Sequence, residues 1–334
     1  MLKLGIVSAA QLGRPLTRLG KMKQASLLLL RDLAAAPDSD RYDTVLTHVL
    51  TANGTWRDTA RDRFAALDRL LLRALQSRGP AGRPLTVLDV GVSSGITSVR
   101  LYELLKPHFR VKLIATDLMR DAVALRAPAG WAIVFDASRR PLQYVLGRFV
   151  LQGQGSESAF YPLNRLLRRF ARWRMLPTAA ALLERFDLRS KADFETTTID
   201  GFELTKIPLL ARETLQALAN EPEFQFEVGN VLEPLRHRAD VIRAMNVLTP
   251  AYFDDGSLRA GVRHCVAALN VRGLLILGRS PNHDPRDVKA TIYANDGSGP
   301  LQPIHHLNGG YEAAALVEDE LMGSPKEAPV CAVS

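Results

Sequence analysis

The pattern of apolar and polar positions divides the chain into regions of different period. Up to about residue 78 it reads as helical: Phe64, Leu67, Leu70, Leu71 and Leu75 recur at helical spacing, with Arg and Asp between them. Ser77-Arg-Gly-Pro-Ala-Gly-Arg-Pro84 then breaks the pattern with glycine and proline. Leu85-Thr-Val-Leu-Asp-Val90 follows as a short, nearly continuous apolar run, the signature of a strand covered on both faces. Further strands are predicted at Val111-Lys-Leu-Ile-Ala-Thr-Asp117, Phe224-Gln-Phe-Glu-Val-Gly229, Ala239-Asp-Val-Ile-Arg-Ala-Met245 and Gly273-Leu-Leu-Ile-Leu-Gly278. Helical stretches run on to Leu105 and over 256–269, between successive strands.

Strands alternating with helices predict an α/β fold, a Rossmann-like doubly wound sheet that is mostly parallel. Segments 288–294 and 301–307 flank Asn295-Asp-Gly-Ser-Gly-Pro300 and predict a terminal antiparallel hairpin. About a hundred residues separate the second and third strands, too many for one crossover. They predict an inserted α+β subdomain, with strands at 131–135, 142–146 and 202–207 and a helix at 211–219. The expected organisation is therefore a helical region over 1–80, a core from 81–118 and 222–312, an insertion over 119–221 and a flexible tail over 313–334.

Composition adds little until charge is mapped. Of the 334 residues 47% are hydrophobic and 23% charged, as in globular proteins. Two cysteines, Cys265 and Cys331, argue against a disulfide framework or a thiolate zinc site, and no metal is expected. No signal peptide or membrane-spanning run is read, so the expected location is cytoplasmic or peripheral to a membrane. The segment 138–191 holds eleven Lys/Arg against three acids, which accounts for the whole net charge of +8.

Within that basic segment, the stretch from Phe160 to Met175 reads as an amphipathic helix. Leu163, Leu166, Leu167 and Phe170 share one face, Arg165, Arg168, Arg169 and Arg172 the other, and Trp173 lies near the boundary. Three uses fit this pattern: packing on the core with a solvated basic face, contact with an anionic membrane, or binding to RNA or another acidic partner. The chain ends in Cys331-Ala-Val-Ser334, which fits the C-a-a-X pattern for farnesylation.

The candidate chemistry starts at Asp89-Val-Gly91-Val-Ser93-Ser-Gly95. A glycine-rich turn directly after a buried strand lets a ligand approach the main chain. Asp117 closes the next strand, 28 residues after Asp89, where an acid can accept hydrogen bonds from both hydroxyls of a ribose. This combination resembles the class I S-adenosylmethionine-dependent methyltransferases, whose first motif is an acid followed by Gly-x-Gly-x-Gly; here Ser93 stands at the middle glycine. The resemblance covers residues 83–118 and 222–310.

The resemblance implies S-adenosylmethionine as cofactor. It places Asp89 at the methionine end, Gly91, Ser93 and Gly95 in the turn, Asp117 at the ribose, and Asn230 with Val231 at the adenine. Asp240-Val-Ile-Arg-Ala-Met-Asn-Val-Leu248 is similar to the signature of CheR-like methyltransferases, with Met245 in place of an arginine. That likeness puts Asn246 beside the transferred methyl. His283, beyond the fifth strand, is the candidate base for an acceptor that must lose a proton. The expected acceptor is a small or lipid-like molecule. The alternatives are an RNA or protein acceptor docked through the basic insertion, and a non-catalytic membrane- or partner-binding module.

Overall fold

A computed structural model describes residues 25–35, 39–47, 49, 57, 60–79, 83–147, 149–153, 162–281 and 287–321. His283 and Cys331 lie outside the described residues. The chain divides into two compact units, 60–118 with 217–334 and 1–59 with 119–216.

The first of these carries the expected core. Its strands are β1 (Leu85–Val90), β2 (Val111–Asp117), β9 (Phe224–Val228), β10 (Ala239–Met245), β11 (Leu269–Arg279), β12 (Lys289–Ala294) and β13 (Gln302–Leu307). They form one sheet in the order β13-β12-β11-β10-β1-β2-β9. β9, β2, β1, β10 and β11 are parallel; β12 and β13 extend the sheet as an antiparallel meander. The parallel order reverses between β1 and β10, so the sheet is doubly wound with its switch point there.

Strand alternation assigns each apolar residue to one of two helical layers. Val87, Leu113, Val241, Leu274 and Ile276 join a cluster with α3 (Ala65–Ser77) and α4 (Ile96–Leu105). Leu88, Ile114, Ile242, Leu275 and Leu277 join the opposite cluster with α7 (Asp255–Ala268) and α8 (Glu318–Leu321). Covering both faces is why these strands read as continuous apolar runs. Ala313, Val317 and Leu321 are buried in the α7 cluster, so the expected flexible tail is corrected: through residue 321 the chain is packed.

In the other unit, β3 (Asp121–Arg126), β4 (Trp131–Asp136), β5 (Pro141–Leu146), β6 (Phe149–Gln152), β7 (Thr196–Ile199) and β8 (Phe202–Pro208) form an antiparallel sheet. Its order is β6-β5-β4-β3-β8-β7. On one face Ala122, Ala124, Val134 and Ile207 pack against α1 (Leu29–Ala34) and α2 (Ser39–Thr47). On the other, Val123, Leu125, Ile133 and Phe135 meet α5 (Pro162–Glu184). α6 (Arg212–Asn220) carries the chain back to the first unit.

This arrangement corrects the expected helical region over 1–80. Buried Gln143 of β5 accepts a hydrogen bond from Leu27 N (3.0 Å) and donates to Ala25 O (2.8 Å), fixing the amino-terminal segment to the inserted sheet. α1 and α2 therefore belong with the insertion, whereas α3 belongs with the core.

Candidate active site

In an open α/β sheet, ligands are taken up at the carboxyl edge of the parallel strands, near the switch point. Here that edge is built from the turn after β1 and the ends of β2, β9 and β10. The turn is tied to β2: Gly91 N and Val92 N both donate to Thr116 O, at 2.8 and 3.1 Å. Ser93 N donates to Asp117 Oδ2 at 2.7 Å. The glycine-rich turn and the acid of the second strand thus meet at one edge, with Asp117 half-buried.

The turn needs unusual backbone. Gly91, Ser93 and Gly95 have φ of 74°, 57° and 78°. Glycine adopts this region without penalty, whereas a residue with a Cβ pays roughly 1–2 kcal/mol. Ser93 carries that cost at the position where the resembled motif has its middle glycine. At Gly91 the demand is also steric: a Cβ there would lie 2.6 Å from Val247 Cβ. Gly91 therefore makes room for the chain's own β10 loop. Gly95 opens α4, and the first helical amides follow directly on the turn.

Asp89 occupies a different environment from the one its motif position implies. It is 3% exposed and points into the α3/α4 layer. Arg243, its register partner on β10, donates from Nε to Oδ1 (2.9 Å) and from Nη2 to Oδ2 (2.5 Å). Ser98 Oγ adds a third bond, at 2.6 Å. Arg243 also donates to Asp68 of α3 (2.7 Å) and to Thr97 O (3.1 Å), and its side chain is fully buried. The methionine-end role of Asp89 is therefore corrected: its carboxylate binds Arg243 and holds β1, β10, α3 and α4 together.

This triad is one cation between two acids. Burial alone would lower the Arg243 pKa, but Asp89 and Asp68 raise it above its ordinary value, so the guanidinium stays charged. Burial pushes Asp68 up to about 6, against the pull of Arg243. The Asp89 carboxylate beyond the guanidinium pushes Asp68 in the same direction as burial.

The remaining expected residues are partly engaged by the protein itself. Asn230 accepts from Leu232 N (3.1 Å) and donates to Glu233 (3.2 Å), capping its own turn after β9. Val231 is 6% exposed and its side chain packs in the α7 cluster. Asn246 takes a left-handed backbone, φ 60°, at the end of β10. Its N donates to Gly278 O (2.9 Å) and its Oδ1 accepts from Ser280 N (2.6 Å). The observed work of Asn246 is to join the ends of β10 and β11.

Sequence reasoning missed a polar cluster at the same ends. Arg279 donates to Glu312 Oε1 and Oε2 (2.9 and 3.0 Å), and Thr249 Oγ1 donates to Glu312 Oε1 (2.5 Å). Burial would raise Glu312, but the bonds from Thr249 and Arg279 bring it below its ordinary value. The Arg243 triad carried a legible signal, an arginine flanked by apolar residues in the middle of a buried central strand, which requires a buried counter-charge. Among the described residues, no group of three or more His, Cys, Asp or Glu could hold a metal ion.

No protein-family model matches the chain, and no curated protein is similar to it. Solved structures are similar in part. An O-methyltransferase family protein from Burkholderia thailandensis is 14% identical with a TM-score of 0.29, over 67% of this chain and 41% of that one. CalS10, an S-adenosylmethionine-bound amino pentose methyltransferase from Micromonospora echinaspora, is 12% identical with a TM-score of 0.28, over 71% and 64%. A geranyl diphosphate methyltransferase solved with geranyl diphosphate and sinefungin is 13% identical with a TM-score of 0.28, over 64% and 44%. The matched part spans less than two thirds of each of these proteins. The class assigned to the chain, a Rossmann-like doubly wound α/β domain with an inserted antiparallel sheet, rests on its own strand order.

Proposed function

We propose that this chain is an S-adenosylmethionine-dependent methyltransferase acting on a small-molecule or lipid-like acceptor. The observation that carries the proposal is the meeting of the β1 turn with Asp117 at the switch-point edge, through Ser93 N and Asp117 Oδ2 at 2.7 Å. The bound cofactor would supply an electrophilic methyl on a sulfonium. The residues present fit its adenosyl part: Asp117 is a half-buried acid at the strand end, beside a turn whose backbone takes positive φ at three positions.

In this reading Asp117 accepts from the ribose hydroxyls. The main chain of Gly91, Ser93 and Gly95 lines the approach to the methionine end, and Asn230 stands at the adenine rim. Asp89 acts at a distance: by pairing with Arg243 it fixes the strand ends on which the turn sits. Asn246 positions the β10 and β11 ends by its bond to Ser280. Methyl transfer then asks of the protein chiefly alignment of the acceptor and exclusion of water. A carboxylate acceptor needs no base, whereas a hydroxyl does, and His283 is the proposed base for that case.

Isothermal titration with S-adenosylmethionine tests the assignment. Asp117→Ala removes hydrogen bonds to a charged acceptor, worth about 1.5–3 kcal/mol, so the affinity should fall roughly ten- to a hundredfold while the far-ultraviolet circular dichroism is unchanged. Absence of heat with the wild-type chain at millimolar cofactor would reject the proposal.

A further inference from the structure

α5 has two apolar faces, and among the described residues only one of them is packed against the fold. Ala171, Met175, Ala179, Leu182 and Leu183 are buried against the inserted sheet. Leu166, Phe170 and Trp173 stand out from it, 65%, 55% and 72% exposed. Their spacing of four and three residues places them in one stripe along the helix. The rings of Phe170 and Trp173 lie 6.2 Å apart, so they form one joined patch.

Large apolar side chains left in water as a contiguous stripe mark an interaction surface. The charges around this stripe restrict its partner. Arg169 and Arg174 are exposed on either side of it, and the first acid along α5 is Glu184, at its far end. Such a surface repels cations and attracts a dense array of anions. Leu166 offers no ring to stack on a nucleobase, yet suits the acyl boundary of a lipid layer. Tryptophan favours the same depth, and arginine favours the phosphate level just above it.

We propose that the outer face of α5 docks on an anionic phospholipid bilayer. Leu166, Phe170 and Trp173 enter the headgroup–acyl boundary, and Arg169 and Arg174 pair with lipid phosphates. The helix lies in the plane of the surface and does not cross it; no described helix is long and apolar enough to do so. This surface is independent of cofactor binding, so its failure would leave the methyltransferase reading untouched.

The test uses the full chain with vesicles of phosphatidylcholine alone or mixed with phosphatidylglycerol, read by flotation. The wild type should float with phosphatidylglycerol vesicles and remain below with pure phosphatidylcholine. The double variant Phe170→Ser/Trp173→Ser should bind the anionic vesicles at least about tenfold less, with an unchanged unfolding midpoint because both side chains are exposed. The arginine variant Arg169→Gln/Arg174→Gln should lose the preference for anionic lipid. Three results would overturn the proposal: no flotation of the wild type, flotation undiminished in the double variant, or a wild-type dimer that the double variant abolishes, which would make a second copy the occupant.

Discussion

Replacing Asp68 by Asn isolates the proton that the buried triad requires. In the native state Asp68 faces Arg243 at 2.7 Å, its side chain 6% exposed, and burial raises its pKa from 3.8 to about 6. A native carboxyl that holds its proton more tightly than the unfolded chain does not affect stability below pH 4, where both states are protonated. As pH rises from 4 to 6 the unfolded chain ionises first, and stability falls; above 6 the loss is complete. Each pKa unit corresponds to about 1.4 kcal/mol, so the full loss is on the order of 3 kcal/mol. Asn has no proton to release, and its carbonyl can still accept from Arg243. The measurement is a urea titration at pH 4 to 7.5, read by pulsed amide exchange in peptides from β1 and β10, which reports that unit alone. The stability of the Asp68→Asn variant relative to wild type should rise by about 3 kcal/mol between the two ends of the range. Parallel profiles would refute the reasoning.

Other substitutions probe the same construction. Arg243→Met leaves two buried acids without a cation and should cost about 3–5 kcal/mol by the same titration; the triple change Asp68→Leu/Asp89→Leu/Arg243→Met should recover much of it. Ser93→Gly removes the left-handed penalty at φ 57° and should raise stability by about 1 kcal/mol, seen as a higher denaturation midpoint. Gly91→Ala drives a Cβ to 2.6 Å from Val247 Cβ and should destabilise the turn, with partial rescue only by Val247→Gly, which removes that atom.

The central sheet was largely legible because its strands are buried on both faces. β1, β2 and β10 have the bounds expected from their apolar runs. β3 was not legible: Asp121-Ala-Val-Ala-Leu-Arg126 is two-thirds alanine and charge, weak in strand preference, yet it lies between β4 and β8 with Val123 and Leu125 on one face and two alanines on the other. Small residues misled again on α5. The expected apolar face put Leu166 and Phe170 together, but over the same stretch the sheet is met by Met175 flanked by Ala171 and Ala179, and the two alanines are too small to mark that face in a hydropathy pattern.

At the site, the turn and Asp117 could be read because strand ends follow from strand bounds. The fate of Asp89 could not, since its partner Arg243 is 154 residues away and Asp68 lies on a helix before the sheet. A trace was present even so: Asp68 falls between Phe64 and Leu71, inside the apolar stripe of α3, where an unpaired acid would be costly.

The claim that matters most is that the β1 turn and Asp117 form one binding edge. A crystal structure with S-adenosylhomocysteine tests it directly. Both ribose hydroxyls should lie within hydrogen-bond distance of the Asp117 carboxylate, with the amino-acid end beside the main chain of residues 91–95. Ligand bound elsewhere in the molecule, with Asp117 turned away from any ribose, would contradict the account.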